Sequence, residues 1–138
     1  MGLVGTARRD AAQERRETRK RRADKFEEFV AALYEFDDWI ERHSRATAGT
    51  IEAPQTMSPL AKVQSISSVY FPQFEGSVHE LDLASADYLN WIWSTDPRRG
   101  YKHDERMDHG YVYASTSYGQ QLDSLLDALQ KFAHDEFQ

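Results

Sequence analysis

The sequence predicts an all-α fold: a four-helix antiparallel bundle whose long first helix projects as a basic arm. Four segments repeat apolar residues at alternating steps of three and four, the period of a helix that buries one face. Proline, glycine and charged residues separate these segments. Only Tyr111, Val112 and Tyr113 would suit a strand, and no partner strand is apparent. The short and medium connections favour antiparallel neighbours.

The first helix is predicted from Ala7 to about Arg45, with Thr6 as its N-cap, because neither proline nor glycine interrupts this stretch. Only its second half has an apolar stripe. The stripe comprises Phe26, Phe29, Val30, Leu33, Phe36 and Ile40. Residues 26–138 are therefore predicted to form the bundle domain.

Residues 1–25 are predicted to form a basic helical arm or a juxtamembrane segment. From Ala7 onward their apolar residues are alanines, which offer too little surface to bury. Glu17 is spaced to pair with Lys20 and Arg21 on a helix. The segment carries nine basic against four acidic groups, a net charge of +5, whereas the rest carries eight against nineteen, a net of −11. At 1.5 Å per residue the arm would project about 30 Å.

The second and third helices are predicted to meet at Pro72, which ends the second because it lacks a backbone N–H. Ser58 and Pro59 are the expected N-cap and first residue of the second helix. Asp96 and Pro97 are expected to close the third. The predicted buried faces are Leu60, Val63, Ile66 and Tyr70, then Phe74, Val78, Leu81, Ser85, Tyr88 and Ile92.

The last helix is predicted to begin at about Tyr111. Its apolar face is clearest from Tyr118 onward. This face comprises Tyr118, Leu122, Leu125, Leu126, Leu129, Phe132 and Ala133. Residues 96–110 before it hold turn-forming and charged residues without an apolar period, which indicates a loop.

No known catalytic motif is present: GxSxG, HExxH, Walker A, GxGxxG and the Glu-x-x-His pairs of di-iron bundles are all missing, and there is no cysteine. The sequence thus predicts a non-enzymatic protein without a cofactor. Two weaker hypotheses stay open. His79 and Asp82 have the spacing of a hydrogen-bonded pair on a helix. The loop gathers metal-binding residue types, without a recognised spacing, at His103, Asp104, Glu105, Asp108 and His109.

Three tryptophans are predicted to contribute to a partner-binding surface. Trp91 and Trp93 lie about 200° apart on a helix and cannot both face one core. Trp39 neighbours Ile40 and so lies at the edge of the buried stripe. Exposed tryptophan near tyrosine and arginine is typical of interfaces. The alternative is that all three lie half-buried around the rim of a small bundle.

The arm is predicted to bind an anionic partner through its cationic side chains. These are Arg15, Arg16, Arg19, Lys20, Arg21 and Arg22. Anionic lipid head groups attract such residues, and this is the favoured partner. Nucleic acid is less favoured, since the arm lacks interleaved aromatic residues and the acidic bundle would repel a polyanion. A solvated spacer or a self-association helix are the remaining interpretations.

Two stretches carry a resemblance: RRDAAQERRETRKRRADKFEEFVAALYEFDDWI and SPLAKVQSISSVYFPQF. Over residues 8–95 the chain resembles small, largely uncharacterised bacterial proteins in which one N-terminal membrane helix precedes an Arg-rich helix and a cytosolic helical bundle. The membrane helix is missing here, where no apolar run approaches about 20 residues. The resemblance implies a position near a membrane and no particular activity.

These features together predict a non-enzymatic helical interaction protein that is membrane-proximal or self-associating. Its expected location is the cytoplasm, at the inner face of the membrane, and its expected partners are another protein or a second copy. One alternative is a sensor or effector whose bundle binds a small ligand or nucleotide. A second is a protein associated with nucleic acid through the basic arm.

Overall fold

The computed structural model describes residues 2–47, 49, 51–96 and 110–137. They contain four α-helices, which are α1 (Gly2–Thr47), α2 (Leu60–Tyr70), α3 (Glu75–Ser94) and α4 (Tyr111–Phe137). A short 3₁₀ helix, Pro72–Phe74, joins α2 to α3. No strand occurs in these ranges, so the predicted all-α class, the long first helix and the start of the last helix are confirmed.

The first helix begins earlier than expected. It starts at Gly2, so the prediction that Thr6 caps it is wrong. The reason is that a glycine costs a helix interior only about 1 kcal/mol, which does not stop the helix at Gly5. Its other end is sharper: Gly49 has a φ of 81°, and its N–H bonds to the carbonyl of Ala46 at 3.0 Å. Glycine adopts this left-handed conformation without steric cost, and the helix ends there.

The turn around Pro72 follows the local chemistry. The helix α2 begins at Leu60 with Pro59 as its N-cap, one residue later than predicted, and the Leu60 N–H donates to Ser58 Oγ at 3.2 Å. At the other end Phe71 leaves the helical region, with φ −136° and ψ 59°. The residue before a proline disfavours the helical conformation, so α2 ends at Tyr70 as expected.

The core consists of the residues that the helical spacing predicts, with few additions. Phe29, Leu33, Phe36 and Ile40 of α1 are each at most 1% exposed. The predicted faces of α2, α3 and α4 are buried or half-buried, and their apolar residues other than Ala133 belong to the same cluster. Ser85 is buried among them because its hydroxyl donates to the Asp82 carbonyl at 2.9 Å. The core residues that the spacing did not single out are Ala32, Phe71, Trp91 and Ala114.

Contacts near Phe29 and Trp39 show which ends of α1 and α2 meet. The ring of Phe71, just after α2, lies 5.9 Å from the ring of Phe29. At the other end, Trp39 Nε1 donates a 3.1 Å hydrogen bond to the carbonyl of Thr56, shortly before α2. The end of α2 therefore lies near the middle of α1, and its start lies nearer the end of α1.

The last helix contacts both α1 and α3. Phe132 of α4 lies 5.7 Å from Phe26 of α1, measured between ring centroids. Tyr111, at the start of α4, lies 4.9 Å from Trp91, near the end of α3. Contact between α3 and α4 is extensive, whereas α1 and α4 approach each other over a shorter stretch.

Candidate binding surfaces

The first candidate surface is the upstream half of α1, where positive and negative side chains lie on different sides. At about 100° per residue, seven basic residues fall within about 160° of the helix circumference. They are Arg8, Arg9, Arg15, Arg16, Arg19, Lys20 and Arg22, and we call them the basic face. The acids Asp10, Glu14, Glu17 and Asp24 fall within about 80° on the other side, together with Arg21. Arg21, predicted to bind with the others, therefore lies apart from them.

The cations of the basic face are open to solvent. All are exposed except Arg22, which is half-buried. In the described part of the chain, Arg22 alone among them forms an ion pair with a carboxylate. The predicted pairs of Glu17 with Lys20 and Arg21 do not form, because Glu17 Oε1 accepts a 3.2 Å hydrogen bond from Gln13 Nε2 instead. The field of the basic face is thus not cancelled by neighbouring acids and attracts anions.

Arg22 is the residue where the arm joins the bundle. Its Nη1 lies 3.0 Å from Glu136 Oε1, at the end of α4. Its guanidinium carbon lies 5.8 Å from the ring centroid of Phe71 and 5.6 Å from that of Phe132. Its stem covers the aromatic end of the core, so this predicted binding residue is also a structural one. An open groove of about 670 Å³ continues from Arg22 along the arm.

A second candidate surface is the α1/α4 groove, an open channel of about 530 Å³ between these two helices. Its floor and walls are largely apolar and include Phe26, Val30, Tyr34, Leu126, Leu129 and Ala133. Asp123 and Asp127 line its edge, and no lysine or arginine lines it. The side chain of Tyr34 is 58% exposed, a large apolar surface for a residue at a helix–helix boundary.

The α1/α4 groove lies in line with the basic face. By the helical rotation, Phe26, Val30 and Tyr34 project from the same side of α1 as the upstream cations. Sequence reasoning did not identify this groove or its edge residues Asp123 and Asp127. The sequence did offer one indication of this surface: along one side of the 46-residue α1, basic residues upstream are followed by acidic residues downstream.

A third candidate surface is an aromatic cluster at the downstream end of α1. The ring centroid of His43 lies 4.2 Å from that of Trp39 and 6.4 Å from that of Trp93. Trp93 is 45% exposed, so two of the three predicted tryptophans share this edge. Trp91 is 8% exposed and packs on Tyr111. The prediction of a partner-binding role for Trp91 is corrected accordingly. Trp91 lies on the side of α3 that faces the core, whereas Trp93 lies on the exposed side.

His43 is the titratable group of this cluster. Its Nε2 is buried and has no hydrogen-bond partner among the described residues. Burial lowers the pKa of the imidazole from its ordinary value, so the ring is neutral at physiological pH. Its close neighbours are aromatic rings rather than a carboxylate that would orient it, and this is not the arrangement of a general base.

The hypotheses of metal and acid–base chemistry gain no support from the described ranges. His103, Asp104, Glu105, Asp108 and His109 lie outside them. Within them no group of three or more histidine, cysteine or acidic residues is placed to hold a metal ion. His79 is exposed and forms no hydrogen bond with Asp82. None of the helices, over the same ranges, combines the length and apolar character needed to span a membrane.

Comparisons with known proteins provide no relative from which a function can be transferred. No protein-family model, curated protein or solved structure matches this chain. The surfaces of the molecule itself are therefore the basis for inferring its function.

Proposed function

We infer that the four helices form an antiparallel bundle from which the upstream half of α1 projects. The positions of Phe71 beside Phe29 and of Thr56 beside Trp39 support opposite directions for α1 and α2. The contact of Tyr111, at the start of α4, with the end of α3 supports the same relation for that pair. A projecting arm follows because the contacts of α1 with the rest of the bundle begin at Arg22.

We propose that this chain is a non-enzymatic helical interaction protein whose basic face attaches it to an anionic membrane surface. The observation that carries the proposal is the basic face itself: seven cations on one side of a helix, six of them exposed and without an acidic partner among the described residues. The missing catalytic motifs support a role by contact rather than by catalysis.

The expected mode of binding is electrostatic. A juxtamembrane Lys or Arg contributes about 1 kcal/mol near an anionic leaflet, so even a few of the seven suffice for reversible attachment. From Ala7 to Ala23 the apolar residues of the arm are alanines, which favours binding to head groups rather than insertion.

Flotation with lipid vesicles tests this proposal. The full chain should float with vesicles that contain an anionic lipid, should stay behind with neutral vesicles, and should be released by high salt. Arg19→Glu should weaken binding about 30-fold, because it changes two charges on the basic face at about 1 kcal/mol each. Arg21→Glu is the matched control, because it makes the same change of net charge on the side of the helix that carries the acidic residues. Its affinity for the vesicles should fall much less.

Two results would overturn the membrane proposal. One is equal recovery of the chain with neutral and anionic vesicles. The other is an equal loss of binding in Arg19→Glu and Arg21→Glu, since net charge rather than the basic face would then control attachment. Tighter, salt-sensitive binding to duplex DNA than to vesicles would favour nucleic acid as the anionic partner.

A further inference from the structure

We propose that two copies of this chain associate through α1, with the arm of each copy lying antiparallel in the α1/α4 groove of the other. The proposal rests on the proposed function in one respect, which is that the basic face is a contact surface. Membrane attachment and self-association are separated by the experiments below.

The charge pattern of α1 is the first support. Residues 8–22 contain eight basic and three acidic groups, whereas residues 26–41 contain six acidic groups and no lysine or arginine. Two parallel copies would place like charges together. Two antiparallel copies place the basic half of each helix beside the acidic half of the other, and opposite charges then meet at both ends. The helix is therefore complementary to itself in the antiparallel direction.

The acidic residues and the groove wall lie on the side of α1 that this antiparallel pairing requires. Glu27 and Glu41 are exposed, and the helical rotation places them on the side that carries the basic face upstream. Asp38 lies on the same side, and its carboxylate forms an ion pair with Arg42 at 2.7 Å. Phe26 and Val30 occupy the same side and form the wall of the α1/α4 groove. A helix laid along this side contacts apolar side chains and acidic side chains at once.

The α1/α4 groove has the chemistry to receive the arm. Its lining combines apolar side chains with the polar side chain of Gln130, while Asp123 and Asp127 at its edge supply carboxylates for arginine. On the arm, Ala12 and Ala23 lie near the centre line of the basic face. These small residues allow close approach of the helix, and the long arginines beside them reach outward to the edge.

The symmetry of the contact limits the assembly to two copies. In an antiparallel pair related by a two-fold axis, each arm occupies the groove of the other copy, and no second arm or groove remains free. The expected product is a closed dimer rather than a filament. Its affinity should fall as salt rises, because charge pairs at the exposed edges of the grooves are screened.

A charge-swap experiment tests the proposed dimer. Sedimentation velocity should show a dimer for the wild type at low salt. The double variant Arg15→Glu/Arg19→Glu reverses two charges of the arm. The double variant Asp123→Lys/Asp127→Lys reverses the two charges at the edge of the α1/α4 groove. Each variant alone should raise the dimer dissociation constant at least about 100-fold, since like charges across an interface cost several kcal/mol. An equimolar mixture of the two variants should dimerise again, because each reversed arm then meets a reversed groove.

Folding and specificity need matched controls. All four substituted side chains are exposed, so circular dichroism should show helix content equal to that of the wild type. Arg21→Glu changes the net charge off the basic face and should remain dimeric. A monomeric wild type at high concentration, or a mixture that stays monomeric, would overturn the dimer. A monomer that still floats with anionic vesicles leaves the membrane proposal intact, and a dimer that does not float overturns that proposal alone.

Discussion

Tyr118 Oη donates a 2.8 Å hydrogen bond to Asp37 Oδ1 and thereby ties α4 to the downstream half of α1. Tyr118 is 4% exposed, and its ring packs edge-on against Phe36 and Tyr88. Asp37 is half-buried at the boundary of the core. Burial, followed by the nearby Asp37 carboxylate, raises the pKa of the Tyr118 phenol well above its ordinary value. The bond therefore holds a neutral phenol against a charged acceptor.

Removing the hydroxyl of Tyr118 should destabilise the bundle. Tyr118→Phe keeps the ring in its packing and loses a hydrogen bond to a charged group, which is worth about 1.5–3 kcal/mol. Urea unfolding, followed by circular dichroism, measures the difference. Tyr113→Phe is the control, because that side chain is 79% exposed and should change the free energy of unfolding very little. Equal effects of the two substitutions would contradict a stabilising role for the Tyr118–Asp37 bond.

The same phenol predicts a loss of stability at alkaline pH. In the unfolded chain Tyr118 ionises near its ordinary pKa of 10.0, whereas in the folded protein it stays protonated. The contribution of Tyr118 to the free energy of unfolding is thus fully present below pH 10. It declines above pH 10 by about 1.4 kcal/mol for each pH unit. Urea unfolding at a series of pH values should show a steeper decline for the wild type than for Tyr118→Phe. Parallel declines would show that Tyr118 also ionises in the folded state.

The two halves of α1 should differ in their effect on stability. Phe29 is fully buried, and Phe29→Ala should lower the free energy of unfolding by about 3–5 kcal/mol. Arg16 is exposed on the arm, and Arg16→Ala should change it by no more than about 0.5 kcal/mol. Thermal and urea unfolding of both variants measure this contrast. A large loss in Arg16→Ala would mean that the arm packs on the bundle.

His43 should make the bundle sensitive to mild acid. Burial lowers the pKa of its imidazole in the folded state, so the unfolded chain binds the proton first as pH falls through its ordinary value of 6.5. Stability from this residue is present above pH 6.5 and declines below it. His43→Gln should reduce the fall in melting temperature between pH 7.5 and about 5, whereas His79→Gln, at an exposed position, should leave it unchanged. An unaltered fall in His43→Gln would count against this role.

Much of the fold was predictable because helical periodicity is local. The steps of three and four around Leu33, Leu81 and Leu125 identify the buried side of each helix, and all three are at most 1% exposed. Proline and glycine chemistry likewise predicts the end of α2 at Tyr70. The Thr6 cap failed because the upstream glycine is tolerated inside a helix at a small energetic cost.

The candidate surfaces were predictable only in part. The sequence identified the cations of the arm, but not the separation of Arg21 from Arg19, although the helical rotation would have shown it. Spacing also predicted that Trp91 and Trp93 face different ways. It could not decide which of them is buried, because that depends on the side from which α4 approaches α3.

By itself, the sequence determined four helices, their buried faces and the charge division along α1, since each depends on residues within a few positions of one another. The tertiary structure alone decided that Tyr118 meets Asp37, that Trp91 enters the core, and that the α1/α4 groove remains open. The physical reason is distance along the chain. The distance between two packed helices depends on all the side chains that lie between them. The residues next to Tyr34 or Asp127 in the sequence therefore do not reveal that a groove stays open there.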